Sequence, residues 1–187
     1  MLLPTLWDSS GKVSICEINE SAASIAEEYA EQSIVGDCEN LEWTKKLVMR
    51  KFHYIVFTDV LEHLRDPGKI LEEARSFLEP GGKVLTSIPN ISYKTVLIDL
   101  IKYDNFEYSA SGILDSTHLR FFTEKTVRTL FESNNYQIDH IYHYKGAVMK
   151  NEKQLTEFPF FVRWYLDRRN KNINTSVFFI EAGEFNS

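Results

Sequence analysis

The segment from Phe52 to Ile88 limits the fold more than any other part of the chain. Phe52-His-Tyr-Ile-Val-Phe-Thr-Asp59 is almost continuously apolar, which is how a strand buried on both faces reads. Asp66-Pro67 then opens a helix, with Pro67 in the first turn where a missing N–H costs nothing. That helix reaches Leu78 and is stopped by Glu79-Pro-Gly-Gly82, after which Lys83-Val-Leu-Thr-Ser-Ile88 is a second strand. A strand, helix and strand at this spacing make a right-handed crossover between parallel strands. Ligands of such open sheets sit beyond the carboxyl ends of the strands.

The same alternation extends both ways. Lys12-Val-Ser-Ile-Cys-Glu17 is a short apolar strand, followed by a helix from Ser21 to Gln32 with Ala22, Ala23, Ala26 and Ala30 on one stripe. Ser33 to Asp37 is another strand, and Asn40 to Lys51 is a less regular helical stretch. Ile91 to Tyr108 reads as helical, and Thr123 caps a helix over Glu124 to Asn134. Tyr136 to Tyr144 and Thr175 to Ala182 read as the last two strands, separated by a helix around Phe160 to Arg169. Glu17 is an acid at a strand's carboxyl end, where nucleotide-binding α/β domains hold a ribose hydroxyl pair. The glycine-rich loop of such domains lies roughly 20 residues upstream, and only 16 residues precede Glu17.

With 187 residues the chain suits a single domain, 1–187, with an atypical segment 1–11 and a helical insertion 145–174. Its net charge of −6 argues against a nucleic-acid partner. Cys16 and Cys38 read as free thiols, and no apolar run reaches the ~20 residues of a membrane span. A cytoplasmic protein is the default expectation. The five histidines show no ligand spacing with cysteine or acid partners, so no metal is expected.

Phe57-Thr-Asp-Val-Leu-Glu-His63, Asp66-Pro67, Leu78-Glu-Pro-Gly-Gly82 and Ser87-Ile-Pro-Asn90 together resemble the class I S-adenosylmethionine-dependent methyltransferases. Within them the chain is similar to the small-molecule branch that includes ubiquinone-type and sugar-modifying enzymes. Asp115-Ser-Thr-His-Leu-Arg-Phe-Phe-Thr123 also resembles a segment of methyltransferases found beside glycosyltransferases in surface-polysaccharide pathways. The resemblance implies an α/β, Rossmann-like sheet in the order 3-2-1-4-5-7-6, mostly parallel with an antiparallel last strand. Lys12–Glu17 would be its second strand, so the first strand, its glycine loop and the next helix are missing or replaced. That leaves unpaired inner edges beside the second and fourth strands. Leu2 to Trp7 fills the gap, or a second copy does so in a homodimer, or the outer strands reposition, or the chain is a piece of a longer one.

The resemblance also implies site residues. Glu17 would accept from the ribose hydroxyls, and Asp37 with Cys38 would flank the adenine; the plainer reading of Gly36-Asp37 is a turn. Thr58 and Asp59 would line the methionine end. His63 is a candidate base, although a structural role suits so general a motif better. His118 is the stronger candidate, taking a proton from an acceptor hydroxyl while Arg120 holds an anionic group. Asp115, Tyr108 and Asn90 would complete the acceptor pocket. The alternative is that Thr117 to Arg120 simply pins a loop to the sheet. The helix around Phe160 to Arg169, in a segment with seven basic and three acidic residues over 145–171, reads first as a cap with buried aromatics and second as a membrane-surface contact.

The expected activity is therefore methyl transfer from S-adenosylmethionine to a hydroxyl of a small molecule such as a sugar or lipid-linked sugar, weakened by the absent glycine loop. The rival is a non-catalytic module that keeps the fold as an interaction surface. A nicotinamide-dependent enzyme needs the same missing loop and leaves the Leu-Glu-His and Pro-Gly-Gly blocks unexplained.

Overall fold

The computed structural model describes residues 5–7, 11–146 and 152–185. Seven strands form one sheet: β1 (Thr5–Trp7), β2 (Val13–Glu17), β3 (Gln32–Val35), β4 (Phe52–Thr58), β5 (Leu78–Pro89), β6 (Tyr136–Tyr144) and β7 (Val177–Glu184). Their order is β3-β2-β1-β4-β5-β7-β6. The parallel pairings β2–β3 and β4–β5, together with the shared reversed neighbours, orient five strands one way and only β1 and β7 the other.

The gap between β2 and β4 is closed by the chain itself. Thr5 lies opposite Ile15 on one side and Val56 on the other, and Trp7 opposite Val13 and Tyr54. Both pairings are antiparallel, so the strand that fills the centre runs backwards. β1 thus covers three residues of each inner edge; Leu2 to Pro4, also expected to contribute, lie outside the described residues. The reversal has a topological consequence. β1 ends beside the start of β2, at the sheet's amino end rather than the carboxyl end where ligands bind.

The helices are α1 (Glu20–Ala26), α2 (Glu42–Lys46), α3 (Pro67–Arg75), α4 (Lys94–Tyr103), α5 (Glu124–Ser133) and α6 (Phe160–Arg169). Local chemistry sets their ends. Asp66 accepts from the Lys69 N–H with Pro67 at the first helical position, and Thr123 and Thr126 form a reciprocal capping box on α5. Pro80-Gly81-Gly82 lies inside β5 as an irregularity rather than ending before it. Gly81 has φ +79°, and a Cβ on Gly82 would stand 2.9 Å from the carbonyl oxygens of Glu79 and Phe52.

The main core lies on one face of the sheet. Ile55, Phe57, Val84, Ile88, Phe178 and Ile180 pack there against Ile70, Leu71 and Ala74 of α3, Val127 and Phe131 of α5, and Trp43 and Leu47 around α2. The buried Tyr136 hydroxyl donates to the Leu71 carbonyl at 2.8 Å, tying β6 to α3. On the other face Tyr54, Phe179, Tyr142 and Tyr144 stay exposed. No described helix is long and apolar enough to cross a membrane.

Candidate active site

The carboxyl ends of β4 and β5 are joined by a polar latch. Asp59, directly after β4, adopts φ +50°, a left-handed conformation that Asp tolerates better than bulkier residues. Its N–H donates to Ser87 Oγ at 2.9 Å, and Ser87 Oγ donates back to Asp59 Oδ1 at 2.8 Å. A short 3-10 turn follows, Leu61–His63, in which Leu61 is buried in the core and His63 is half-buried.

The Asp115–Arg120 loop docks onto that turn. The Leu119 and Arg120 N–H groups both donate to the Glu62 carbonyl, at 2.8 and 2.9 Å. Asp115 accepts from the Thr117 N–H and hydroxyl, at 2.8 and 2.6 Å, and these bonds hold its carboxyl below the usual range. Thr117 in turn meets His63 Nδ1 through its hydroxyl and its carbonyl, at 3.1 and 3.2 Å. Since the Thr117 hydroxyl proton goes to Asp115, both atoms facing Nδ1 are acceptors, which assigns the His63 proton to Nδ1.

His118 is 8% exposed and its Nδ1 lies 3.0 Å from the Ile113 carbonyl, so this nitrogen also donates. Burial lowers its pKa below the ordinary 6.5, with the nearby His63 adding to the effect, so the ring is neutral at pH 7 with its Nε2 lone pair available. The two imidazoles meet edge to face with centroids 4.7 Å apart. Asp59, Glu62, His63, Asp115 and His118, with Pro89, Ile113 and Val177, line a pocket of about 250 Å³.

Four residues named from the sequence thus converge in one pocket: Asp59, His63, Asp115 and His118. Others do not join them. Arg120 donates instead to the Arg65 carbonyl and lines a separate open groove with Asp66 and Asn134, so the expected pairing of Arg120 with His118 is not formed. Tyr108 lines a different pocket with Thr95, Asp99 and Lys153, and reaches His118 only through the intervening Phe121 ring. Asn90 is wholly buried, its amide donating to the Asn172 and Thr175 carbonyls and accepting from the Ser92 N–H and hydroxyl. All of its polar capacity goes into joining the end of β5 to the approach of β7, which leaves none for the wall of a pocket.

At the other end of the sheet, Glu17 is 2% exposed and accepts from the Asn19 N–H at 2.9 Å. Asp37 accepts from the Glu39 N–H at 2.9 Å as cap of the turn Cys38–Asn40, which agrees with the turn reading of Gly36-Asp37. Each carboxylate has one oxygen engaged by a backbone amide two residues on. Glu17 ends β2 opposite Val35 of β3, on the side of the amino end of the reversed β1. Cys16 and Cys38 are free and buried, and burial pushes both thiols up to about 12. Thr58 is exposed and lines a groove of about 220 Å³ on the open sheet face, with Val56, Leu85 and Phe179.

Two expectations are corrected. The aromatics of α6 are not buried: Phe160, Phe161, Trp164 and Tyr165 are each more than half exposed, and α6 has no buried residue. And the histidines do find an acid partner, because Glu62, His63 and His118 bring candidate ligand atoms within 4.8 Å of one another. Sequence reasoning passed over Glu62 itself. The available signal was an acid set in the otherwise apolar Val60-Leu61-Glu62-His63-Leu64.

A family model described as a methyltransferase domain matches residues 8–141. The chain belongs to this methyltransferase-domain family. It is 29% identical over 105 residues to a ubiquinone biosynthesis O-methyltransferase of Coxiella burnetii, covering 54% of this chain and 43% of that one. A protein of the same name from Nitrobacter winogradskyi is 27% identical over 150 residues, with 79% and 51% covered. The chain therefore spans about half the length of the curated relatives it matches. Solved structures share the fold. A SAM-dependent methyltransferase from Archaeoglobus fulgidus superposes with TM-score 0.59 at 16% identity, covering 90% of this chain and 74% of that one. PKMT2 from Rickettsia typhi, in complex with AdoHcy, gives 0.55 at 12% identity, with 93% and 44% covered. The class I methyltransferase fold read from the sequence is thus the fold of the chain.

Proposed function

We propose that this methyltransferase domain transfers a methyl group from S-adenosylmethionine to a hydroxyl of a small-molecule acceptor seated in the Asp59–His118 pocket. The observation that carries the reading is the neutral His118, whose Nε2 faces a polar pocket at the carboxyl ends of the central strands. Bound S-adenosylmethionine supplies an electrophilic methyl carbon. The chain's own residues orient the acceptor and receive the hydroxyl proton at His118 Nε2 as the oxygen–carbon bond forms and the carbon–sulfur bond breaks. In this reading Glu17 accepts from the ribose hydroxyls and Asp37 flanks the adenine, each with one oxygen already engaged by a backbone amide. Oxygen as the accepting atom agrees with the curated relatives being O-methyltransferases by name.

The exposed face of α6 supports an acceptor carried at a membrane surface, such as a lipid-linked sugar. Phe160, Phe161, Trp164, Tyr165, Arg168 and Arg169 recur at spacings of three to four and share one side of the helix. Co-sedimentation with anionic vesicles, lost in a Phe161→Ser/Trp164→Ser variant, is the expected outcome. Equal recovery of variant and parent with the vesicles contradicts it.

The rival reading, a non-catalytic module, is favoured by the exposed aromatics of the open sheet face. Incubation with methyl-labelled S-adenosylmethionine at roughly 1 mM, the top of ordinary KM values, and a panel of sugar and phenolic hydroxyl compounds separates the two. Methyl transfer predicts labelled product that disappears in His118→Ala. No product with any acceptor, from a folded protein, supports the module.

A further inference from the structure

Glu62 has 1% exposure and, among the described residues, neither carboxylate oxygen has a hydrogen-bond partner. A buried acid in that state is costly unless something compensates it. Burial pushes its pKa up to about 8, and the negative Asp59 and Asp115 add to the rise. The neighbourhood thus gathers acids and imidazole lone pairs without a cationic side chain among the pocket's lining residues.

We propose that Glu62, His63 and His118 form a binding site for a divalent first-row transition-metal ion. Glu62 Oε1 lies 4.0 Å from His118 Nε2, and the three candidate ligand atoms all fall within 4.8 Å of one another. Ligands about 2.0–2.2 Å from a common ion stand roughly 3–3.5 Å apart, so small side-chain rotations close the site. The tautomers are already set for binding. Each imidazole gives its Nδ1 proton to a protein acceptor, His118 to the Ile113 carbonyl and His63 to Thr117, leaving Nε2 as the donor atom. Asp115 holds Thr117 through two hydrogen bonds, which is the outer-shell support that metal-binding histidines ordinarily have. The two backbone bonds from Leu119 and Arg120 to the Glu62 carbonyl fix the turn and the loop at this separation.

Two imidazole nitrogens and one carboxylate suit manganese, iron, cobalt or zinc better than magnesium or calcium, and leave coordination positions open toward the pocket. Cation and proton compete for His118 Nε2, so in the metal-loaded state those positions take the acceptor hydroxyl of the reading above as a ligand, lower its pKa and release its proton to solvent rather than to His118. Cation binding itself requires neither cofactor nor acceptor and is measured without them.

The test uses the full chain stripped with a chelator and titrated with Zn²⁺ by calorimetry and with Mn²⁺ by electron paramagnetic resonance. One saturable equivalent, accompanied by a rise in melting temperature, is expected. Glu62→Gln and His118→Asn, each checked for cooperative melting, should weaken binding at least tenfold, while His140→Asn leaves it unchanged. Metal-free Glu62→Gln should melt no lower than the parent, because the buried carboxyl, its pKa pushed up to about 8, has no hydrogen-bond partner to lose among the described residues. Absence of saturable binding of either ion, or binding of parental strength in a folded Glu62→Gln or His118→Asn protein, overturns the proposal.

Discussion

On the β4–β5 side of the site, side chains and backbone are tied together across long stretches of sequence. Asp59 meets Ser87, His63 meets Thr117, and the Glu62 carbonyl collects N–H groups from Leu119 and Arg120. On the β2–β3 side the corresponding carboxylates bond only their immediate neighbours: Glu17 the amide of Asn19, and Asp37 that of Glu39. The strand beside them, β1, contributes three residues and runs backwards, whereas β7, the other reversed strand, pairs from Val177 to Gly183 with both neighbours. The contrast teaches that the proposed acceptor residues are held by tertiary contacts, while the proposed cofactor acids Glu17 and Asp37 are held by local turns beside a minimal strand. The tertiary ties of that side run through other groups such as Glu39, which accepts from the Arg65 and Asp66 amides.

The largest effect expected from this difference is on chemistry. His118→Ala should lower kcat about 10²–10⁴-fold, the ordinary contribution of a positioned proton acceptor, and leave S-adenosylhomocysteine binding unchanged. An effect on cofactor binding instead would merge the two sides. Asn90→Ala comes next: leaving the Asn172 and Thr175 carbonyls without their donor should cost about 1–3 kcal/mol of stability, seen as a lower denaturation midpoint with acceptor KM unchanged. A raised KM with unaltered stability would return Asn90 to the pocket wall. Glu17→Ala should raise the KM for S-adenosylmethionine about tenfold, the size of a charge-assisted hydrogen bond, with kcat preserved; no change would remove Glu17 from the site. The smallest effect concerns Cys16 and Cys38, whose thiols are pushed up to about 12 by burial. A disulfide reagent at pH 8 should react with neither until the protein unfolds, and prompt reaction would show that the β2–β3 side opens readily.

Much of this was legible in the sequence because it rests on local chemistry. Tyr136–Tyr144 and Phe160–Arg169 occupy the spans read from residue pattern, and Asp66-Pro67 and Thr123 cap the helices they announce. The order of strands followed from the resemblance. What stayed hidden depends on partners far apart in the chain. The approach of Glu62 to His118 spans 56 positions and leaves no spacing motif. The use of Asn90 is set by carbonyls at Asn172 and Thr175, more than eighty residues on. The direction of β1 could not be read from three residues with no periodicity to orient them. The exposure of α6 escaped because aromatic content alone does not say whether another element covers it, and none of the described ones buries it.

Calorimetric titration of the purified chain with S-adenosylhomocysteine tests the contrast most directly. A well-tied acceptor side beside a cofactor side of local turns predicts weak binding, with a dissociation constant above about 100 μM, or roughly −5.5 kcal/mol. Saturable binding at low micromolar concentration would contradict that result and mean that β1, Glu17 and Asp37 already make a complete cofactor site.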